Sequence, residues 1–411
     1  VSSARSSAAD AALPRLRLRL SNTGEDVVRR GHPWVYEASV REQNRPGKMG
    51  ELAVIYDKRD RFLAVGLYDS ESIIRVRVLH TGKPAVIDAA WFGARLAATF
   101  ERRAGLFDAS TNGYRLVNGE GDGWPGLVMD KFAETLVIKL YTCAWLPHLT
   151  ELTRLAQLLC SPVCVVLRMS RNMQASAARL FGARDGSVIA GRLESNPVCF
   201  LENGIRFEAD ALKGQKTGFF LDQRENRRMT GRLASGKSVL NAFSFSGGFS
   251  LYAARGGARH VTDLDISPHA LESSRRNWKL NEGLPGVISC GREWVQGDTF
   301  DWLGQNAGKR YDLIILDPPS FAKKESDREG AIRAYTRLAR LGASRLEPKG
   351  MLVCCSCSAH VRDSEFFEAC AQGAGAEGGF DEVSRTGHAL DHPAGFREFT
   401  YLKALYLRRR A

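Results

Sequence analysis

No apolar run in this 411-residue chain approaches the roughly 20 residues that a membrane-spanning helix needs, so a soluble chain without a membrane partner is expected. No repeat period stands out, which argues against a solenoid or a propeller. Cysteine is sparse: nine residues form no dense framework, which fits a reducing compartment better than secretion. Cys354 and Cys357 make a Cys-x-x-Cys, and no second such pair completes a structural zinc site, so no metal is expected. Acidic residues are outnumbered, with 46 Asp and Glu against 58 Lys and Arg and a formal charge of +12. Such a surface favours polyanions, of which nucleic acid is the commonest.

At roughly 100–200 residues per domain the length suits two to four domains. Val1 to Ala12 is rich in Ser and Ala, as at the end of a transit segment, a processed terminus or a truncated reading frame. A cytoplasmic protein is expected, or a plastid or mitochondrial one where that stretch is a transit remnant. From Arg15 to Leu20, Arg and Leu alternate strictly, predicting a strand with leucines on one face and arginines on the other. Further short β-rich runs, Leu52–Tyr56, Phe62–Tyr68 and Ile73–Leu79, suggest a small barrel or sandwich over 13–85.

A second, α+β unit is expected over 88–213. It opens with the helical spacing of Trp91, Phe92, Leu96 and Phe100 and carries Arg168, Arg171, Arg179 and Arg184. Five glycines within 113–126 predict a tightly folded loop. It lacks a P-loop's Gly-Lys-Ser/Thr ending, so a structural turn is favoured over a phosphate cradle. From 214 to 411, strand and helix alternate as in a doubly wound parallel sheet, and Phe399–Leu407 can supply a closing antiparallel strand.

Within that third unit, Tyr311-Asp-Leu-Ile-Ile-Leu316 reads as a strand buried on both faces, ending on Asp317 backed by Pro318 and Pro319. The carboxyl ends of such strands are where open α/β sheets bind ligands, although an ordinary strand-ending turn would look the same. After the first strand, Phe243-Ser-Phe-Ser246-Gly247-Gly248 opens a helix with glycines that let backbone N–H groups approach a ligand. Asp265 ends the second strand at the distance where an acid binds ribose, and Asp298 near the third could accept from an adenine amino group. This ordered set predicts an adenosine-containing cofactor. The Phe243–Gly248 turn is not a dinucleotide fingerprint, so S-adenosylmethionine suits it better than NAD. Cys354-Cys-Ser-Cys357-Ser follows the fifth strand. Alternation puts Cys355 and Cys357 on one face, and Cys357 at the strand end is the candidate nucleophile.

Arg30-Gly-His-Pro-Trp-Val-Tyr36, Gly119-Glu-Gly-Asp-Gly-Trp-Pro-Gly126, Lys216-Thr-Gly-Phe-Phe-Leu-Asp-Gln-Arg224, Asn241–Gly248, Asp317-Pro-Pro-Ser-Phe321 and Ser356-Cys-Ser358 resemble, in order and spacing, the RlmI-type class I methyltransferases. The resemblance runs from about residue 15 to the end. It implies a PUA domain, a central α+β domain and a Rossmann-like domain that makes 5-methylcytosine in large-subunit ribosomal RNA with S-adenosylmethionine. In the implied mechanism the Cys357 thiolate adds to cytosine C6 while Asp317 hydrogen-bonds or protonates N3. Gln223 and Arg224 resemble residues near the cofactor mouth, and Ile266 and Pro318 join Asp265 and Asp317 as expected cofactor contacts. Ser320 stands where this family often has lysine, and Arg168–Val198 is not matched to it segment by segment; target choice is the property these departures affect. The implied partner is RNA, with a homodimer left open. Competing readings are methylation at a base atom that needs no thiol, an RNA-binding assembly factor that holds the cofactor without turnover, and, more distantly, a dehydrogenase.

Overall fold

The computed structural model describes residues 14–411; Val1–Ala12 lies outside them. The alternating stretch forms strand Leu16–Leu20 with its leucines buried. It joins Trp34–Tyr36, Val40–Gln43, Leu52–Tyr56, Phe62–Tyr68 and Ile74–Thr81 in one six-stranded sheet. Its outward arginines are partly spent within the sheet: Arg19 pairs with Asp60 at 2.9 Å and Glu42 at 3.3 Å, and Arg17 reaches Asp60 at 3.3 Å.

A five-stranded sheet follows, built from Gly113–Asn118, Leu127–Phe132, Thr135–Leu140, Cys164–Met169 and Ser187–Gly191. The glycine-rich loop is a structural turn. Asp122 accepts from the Asn118 N–H and from Arg103, and Gly123 takes a φ of +76° where a Cβ would lie 2.1 Å from the Arg95 guanidinium. Arg168, one of the four arginines noted in this unit, is buried, donating to Asp185 and to the Ala211 and Gly214 carbonyls. Arg171, Arg179 and Arg184 stay exposed.

After a two-stranded hairpin, Val198–Glu202 with Ile205–Ala209, the last sheet has seven strands: β1 (Ser238–Ala242), β2 (His260–Asp265), β3 (Gly291–Gln296), β4 (Tyr311–Leu316), β5 (Leu346–Ser356), β6 (Phe380–Thr386) and β7 (Lys403–Arg409). Their spatial order is β3-β2-β1-β4-β5-β7-β6, parallel except for β7, which runs antiparallel between β5 and β6. β4 is covered on both faces as expected. Leu313 and Ile315 pack with Val239, Val353 and Tyr406, while Ile314 and Leu316 pack with Leu240, Leu352 and Leu405. The first of these cores also takes in Phe132, Val137 and Val166 of the five-stranded sheet, so the two sheets share one apolar interior. Among the described residues no helix is long and apolar enough to cross a membrane.

Arg224 ties the parts together. Fully buried, it forks onto Asp391 at 2.9 and 3.1 Å and donates to the Gly113 carbonyl at 2.9 Å, with its guanidinium 4.4 Å from the Phe107 ring. It is therefore a buried brace and not a residue at a cofactor mouth. Replacing it with methionine strands a buried carboxylate, and urea unfolding of Arg224→Met is expected to show a loss of about 3–5 kcal/mol.

Candidate active site

At the carboxyl edge of the sheet, the turn after β1 holds three residues with positive φ, Phe243 (59°), Phe245 (47°) and Gly247 (73°). Strain of this kind in bulky residues persists only where the surroundings over-determine it. Asp265 does so here, accepting from the Phe245 N–H at 2.9 Å and from the Ser267 N–H at 2.8 Å. A Cβ on Gly247 would lie 2.4 Å from the Ser274 hydroxyl, so no larger residue fits. The Ser246 carbonyl accepts from Asn277 at 2.9 Å, and Gly248 starts helix Gly248–Arg255. Beside Asp265 the Ile266 side chain is 66% exposed, an apolar face with nothing packed over it. Ile266 and Asp265 are the residues that would hold an adenosine here, the first offering an exposed apolar surface and the second carboxylate acceptors. Asp298 lies at the same edge after β3, exposed, but one of its oxygens caps helix Thr299–Gln305 by accepting from Asp301 at 3.1 Å.

Asp317 and Cys357 come together. β4 and β5 are adjacent and parallel, with Leu316 opposite Cys354, and each strand ends one residue before its candidate group. Alternation holds as expected: Cys354 packs on one face of the sheet, and Cys355 joins the core on the other. The two loops are tied to each other. Ser320 and Ser358 share a hydrogen bond at 3.1 Å, Tyr335 bonds Ser356 and Ser358 at 2.8 and 2.9 Å, and buried Lys403 donates to the Ser358 and Val361 carbonyls. Pro318 is buried behind Asp317 and stiffens its loop.

Gln223, expected among the cofactor contacts, is buried and bonds the carboxylate. Its Nε2 donates to Asp317 Oδ1 at 2.9 Å, its Oε1 accepts from Asn226 at 2.6 Å, and Asn226 in turn accepts from Thr386. Burial, reinforced by the negative charge of Asp222, pushes the Asp317 carboxyl up to about 7 against the pull of the Gln223 N–H. Asp317 is nevertheless partly exposed. Burial also pushes the Cys357 thiol up to about 11; Lys216 pulls against that rise, and Asp317 and Asp222 add to it.

Sequence reasoning missed the charged group beside them. Lys216 pairs with buried Asp222, which also accepts from the Tyr401 hydroxyl at 2.8 Å, and the Lys216 ammonium lies over the Phe220 and Tyr401 rings at 4.8 and 5.2 Å. β7 begins opposite Ser356, so Tyr401 just before it brings this pair to the strand end that carries Cys357. Burial opposes the charge on Lys216, but Asp222 outweighs it and keeps the ammonium protonated. The motif Lys216–Arg224 was the available signal.

This sheet order, with its antiparallel β7 and with the cofactor edge and the carboxyl–thiol pair at one rim, defines a class I methyltransferase behind a PUA-like module. The chain matches the S-adenosylmethionine-dependent methyltransferase family over residues 114–400 and the PUA-like domain family over residues 18–81. It is 56% identical over 409 residues to a ribosomal RNA large subunit methyltransferase of Deinococcus radiodurans, covering 98% of this chain and 99% of that one. It is 34% identical to ribosomal RNA large subunit methyltransferase I of Shewanella amazonensis, covering 96% and 99%. A solved S-adenosylmethionine-dependent methyltransferase from Streptococcus mutans shares the fold, with a TM-score of 0.79, 22% identity and coverage of 96% and 100%. The chain belongs to the RlmI-type family of S-adenosylmethionine-dependent methyltransferases.

Proposed function

We propose that this chain methylates C5 of a cytidine in large-subunit ribosomal RNA, with Cys357 as nucleophile and Asp317 as proton carrier. The names of its relatives, matched along nearly their whole length, support ribosomal RNA as substrate. The observation that carries the cytosine assignment is the thiol and carboxyl at the ends of adjacent strands, close enough for their charges to interact. Cytosine C5 is a poor nucleophile until something adds to C6, and a thiol at the sheet rim supplies that addition.

The proton count follows from the two groups. Above about pH 7 the pair holds one proton, on sulfur. Asp317 takes that proton and passes it to N3 as the thiolate bonds to C6, which shifts the C5=C6 double bond to C4=C5. Bound S-adenosylmethionine supplies the electrophilic methyl that the activated C5 takes. Loss of the C5 proton to a base then breaks the C6–S bond, and N3 returns its proton to Asp317. Gln223 holds the carboxyl in line throughout, and the Lys216 ammonium stabilises the thiolate while it exists. The target base must leave its stack to reach this rim, so an unstacked or folded RNA region suits it better than a regular duplex.

The test is methyl transfer from labelled S-adenosylmethionine to unmodified large-subunit ribosomal RNA, followed by digestion to nucleosides. The label is expected in 5-methylcytidine. Label in another nucleoside, or in none, removes the proposal.

A further inference from the structure

We propose that a cavity where the N-terminal sheet meets the C-terminal segment binds one unstacked guanine of the substrate RNA, at a distance from the methylated base. This rests on the reading of RNA as substrate. The cavity, about 290 Å³, is lined by Val27, His32, Trp34, Tyr36, Ser39 and Glu398, among others. Ligand sites commonly span about 300–1,000 Å³, so this one is scaled to a single nucleotide.

Its walls explain the Arg30–Tyr36 motif, which the chemistry at Cys357 does not use. Trp34 is the hub. Its ring stands edge-on to His32 at 5.6 Å and to Tyr36 at 6.4 Å, and Phe396 and Phe399 close on it at 6.0 and 5.9 Å. Its Nε1 donates to Glu120 at 2.8 Å, so three separate parts of the chain fix the ring in place. Tyr36 is 39% exposed and leaves an aromatic face open at the mouth. The open face of Tyr36 is a surface on which a base can stack, and base–aromatic stacking is the usual means by which unstacked RNA is held.

The polar lining selects which base. Glu398 makes no side-chain hydrogen bond among the described residues. Among the described residues it pairs with His32 Nε2 at 3.9 Å, beyond hydrogen-bonding reach. Burial and then the Glu398 charge raise the Tyr36 hydroxyl above its ordinary pKa, consistent with a carboxylate facing into the site. A carboxylate with two free oxygens is satisfied best by two donors side by side. Guanine presents N1–H and N2–H on one edge. Adenine and cytosine present a single amino group there, and uracil a single imide N–H. Phosphates on either side meet a module with 14 Lys and Arg against nine Asp and Glu over 13–85.

The experiment uses the full chain without cofactor and fluorescence anisotropy of labelled ten-residue oligouridylates carrying a central G, A, C or U. The G oligomer is expected to bind at least about 10-fold tighter than the others. Glu398→Gln, a surface change that spares the fold, should bring the four within about 2-fold. Tyr36→Ala should weaken the G oligomer roughly 5- to 100-fold. Both variants should methylate saturating RNA at the wild-type maximal rate. Equal affinity of the wild type for all four oligomers, a G preference untouched in both variants, or binding of free GMP as tight as the G oligomer would each overturn the site. Because no methyl donor is present, a wild type that prefers G yet methylates no ribosomal RNA would sink the functional reading and leave this one standing.

Discussion

Cys357→Ala is expected to reduce methyl transfer to ribosomal RNA by at least roughly 10³-fold while leaving cofactor affinity within about 2-fold. The separation is expected because the thiol ends β5, whereas the cofactor edge is carried by the turn after β1 and by Asp265 at the end of β2. Calorimetric titration with S-adenosylhomocysteine checks the second half. RNA carrying 5-fluorocytidine checks the first in another way, since fluorine cannot leave C5 as a proton does. The wild type should form an adduct that survives denaturing electrophoresis, and the alanine variant should form none. Retained turnover in Cys357→Ala would instead favour methylation at a ring nitrogen or exocyclic amine. A wild type that binds the cofactor and RNA without turnover would favour the assembly-factor reading.

The second large effect concerns Asp317. An amide cannot carry the proton from sulfur to N3, so Asp317→Asn should lose about 10²- to 10⁴-fold in single-turnover rate. The pH profile makes the assignment sharper. With the carboxyl near 7 and the thiol near 11, the wild-type rate should climb about 10-fold per pH unit up to about pH 7, then level off until the thiol ionises. The rising limb should vanish in the asparagine variant, and a wild-type rate that is flat from pH 5.5 to 8 would contradict the role. Stability moves in the opposite direction. The folded carboxyl titrates above its unfolded value, so its neutral form stabilises the fold below about pH 4, and that contribution is lost as pH rises through about 7. The wild type should therefore lose on the order of 3 kcal/mol between pH 4 and 8 that Asp317→Asn does not lose.

What could be read without coordinates depended on how local each signal was. Leu313–Leu316 announced an inner strand because four apolar residues in a row fit only a strand covered on both faces, and the two prolines behind Asp317 marked its end. The glycine turn and Asp265 were legible for the same reason, being strand ends at a known edge. Charge was less reliable. Arg168 looked like part of a basic region and Arg224 like a residue near the cofactor mouth, yet both are consumed inside the fold, Arg168 by Asp185 and two carbonyls and Arg224 by buried Asp391 and the Gly113 carbonyl, which no local pattern reveals. The Lys216–Asp222–Tyr401 group was half legible: Lys216 and Asp222 share one motif, but Tyr401 lies 179 residues beyond Asp222 and meets it only once β7 is in place. Spacing alone can also mislead. Gly231 to Ser238 has the glycine and Gly-Lys-Ser spacing of a phosphate loop, but it leads from a helix into β1, the reverse of what a phosphate cradle needs.

The inner position of β7 constrains how this enzyme is made. β5 and β6 have no direct pairing, so during synthesis the sheet stands open after both have left the ribosome, until Lys403–Arg409 threads between them. The same segment delivers Tyr401 to Asp222, and the residues just before it bring Asp391 to Arg224 and Phe396 to Trp34. A chain in which this stretch has not docked lacks all three contacts, so catalytic competence is expected to arrive only once β7 is seated.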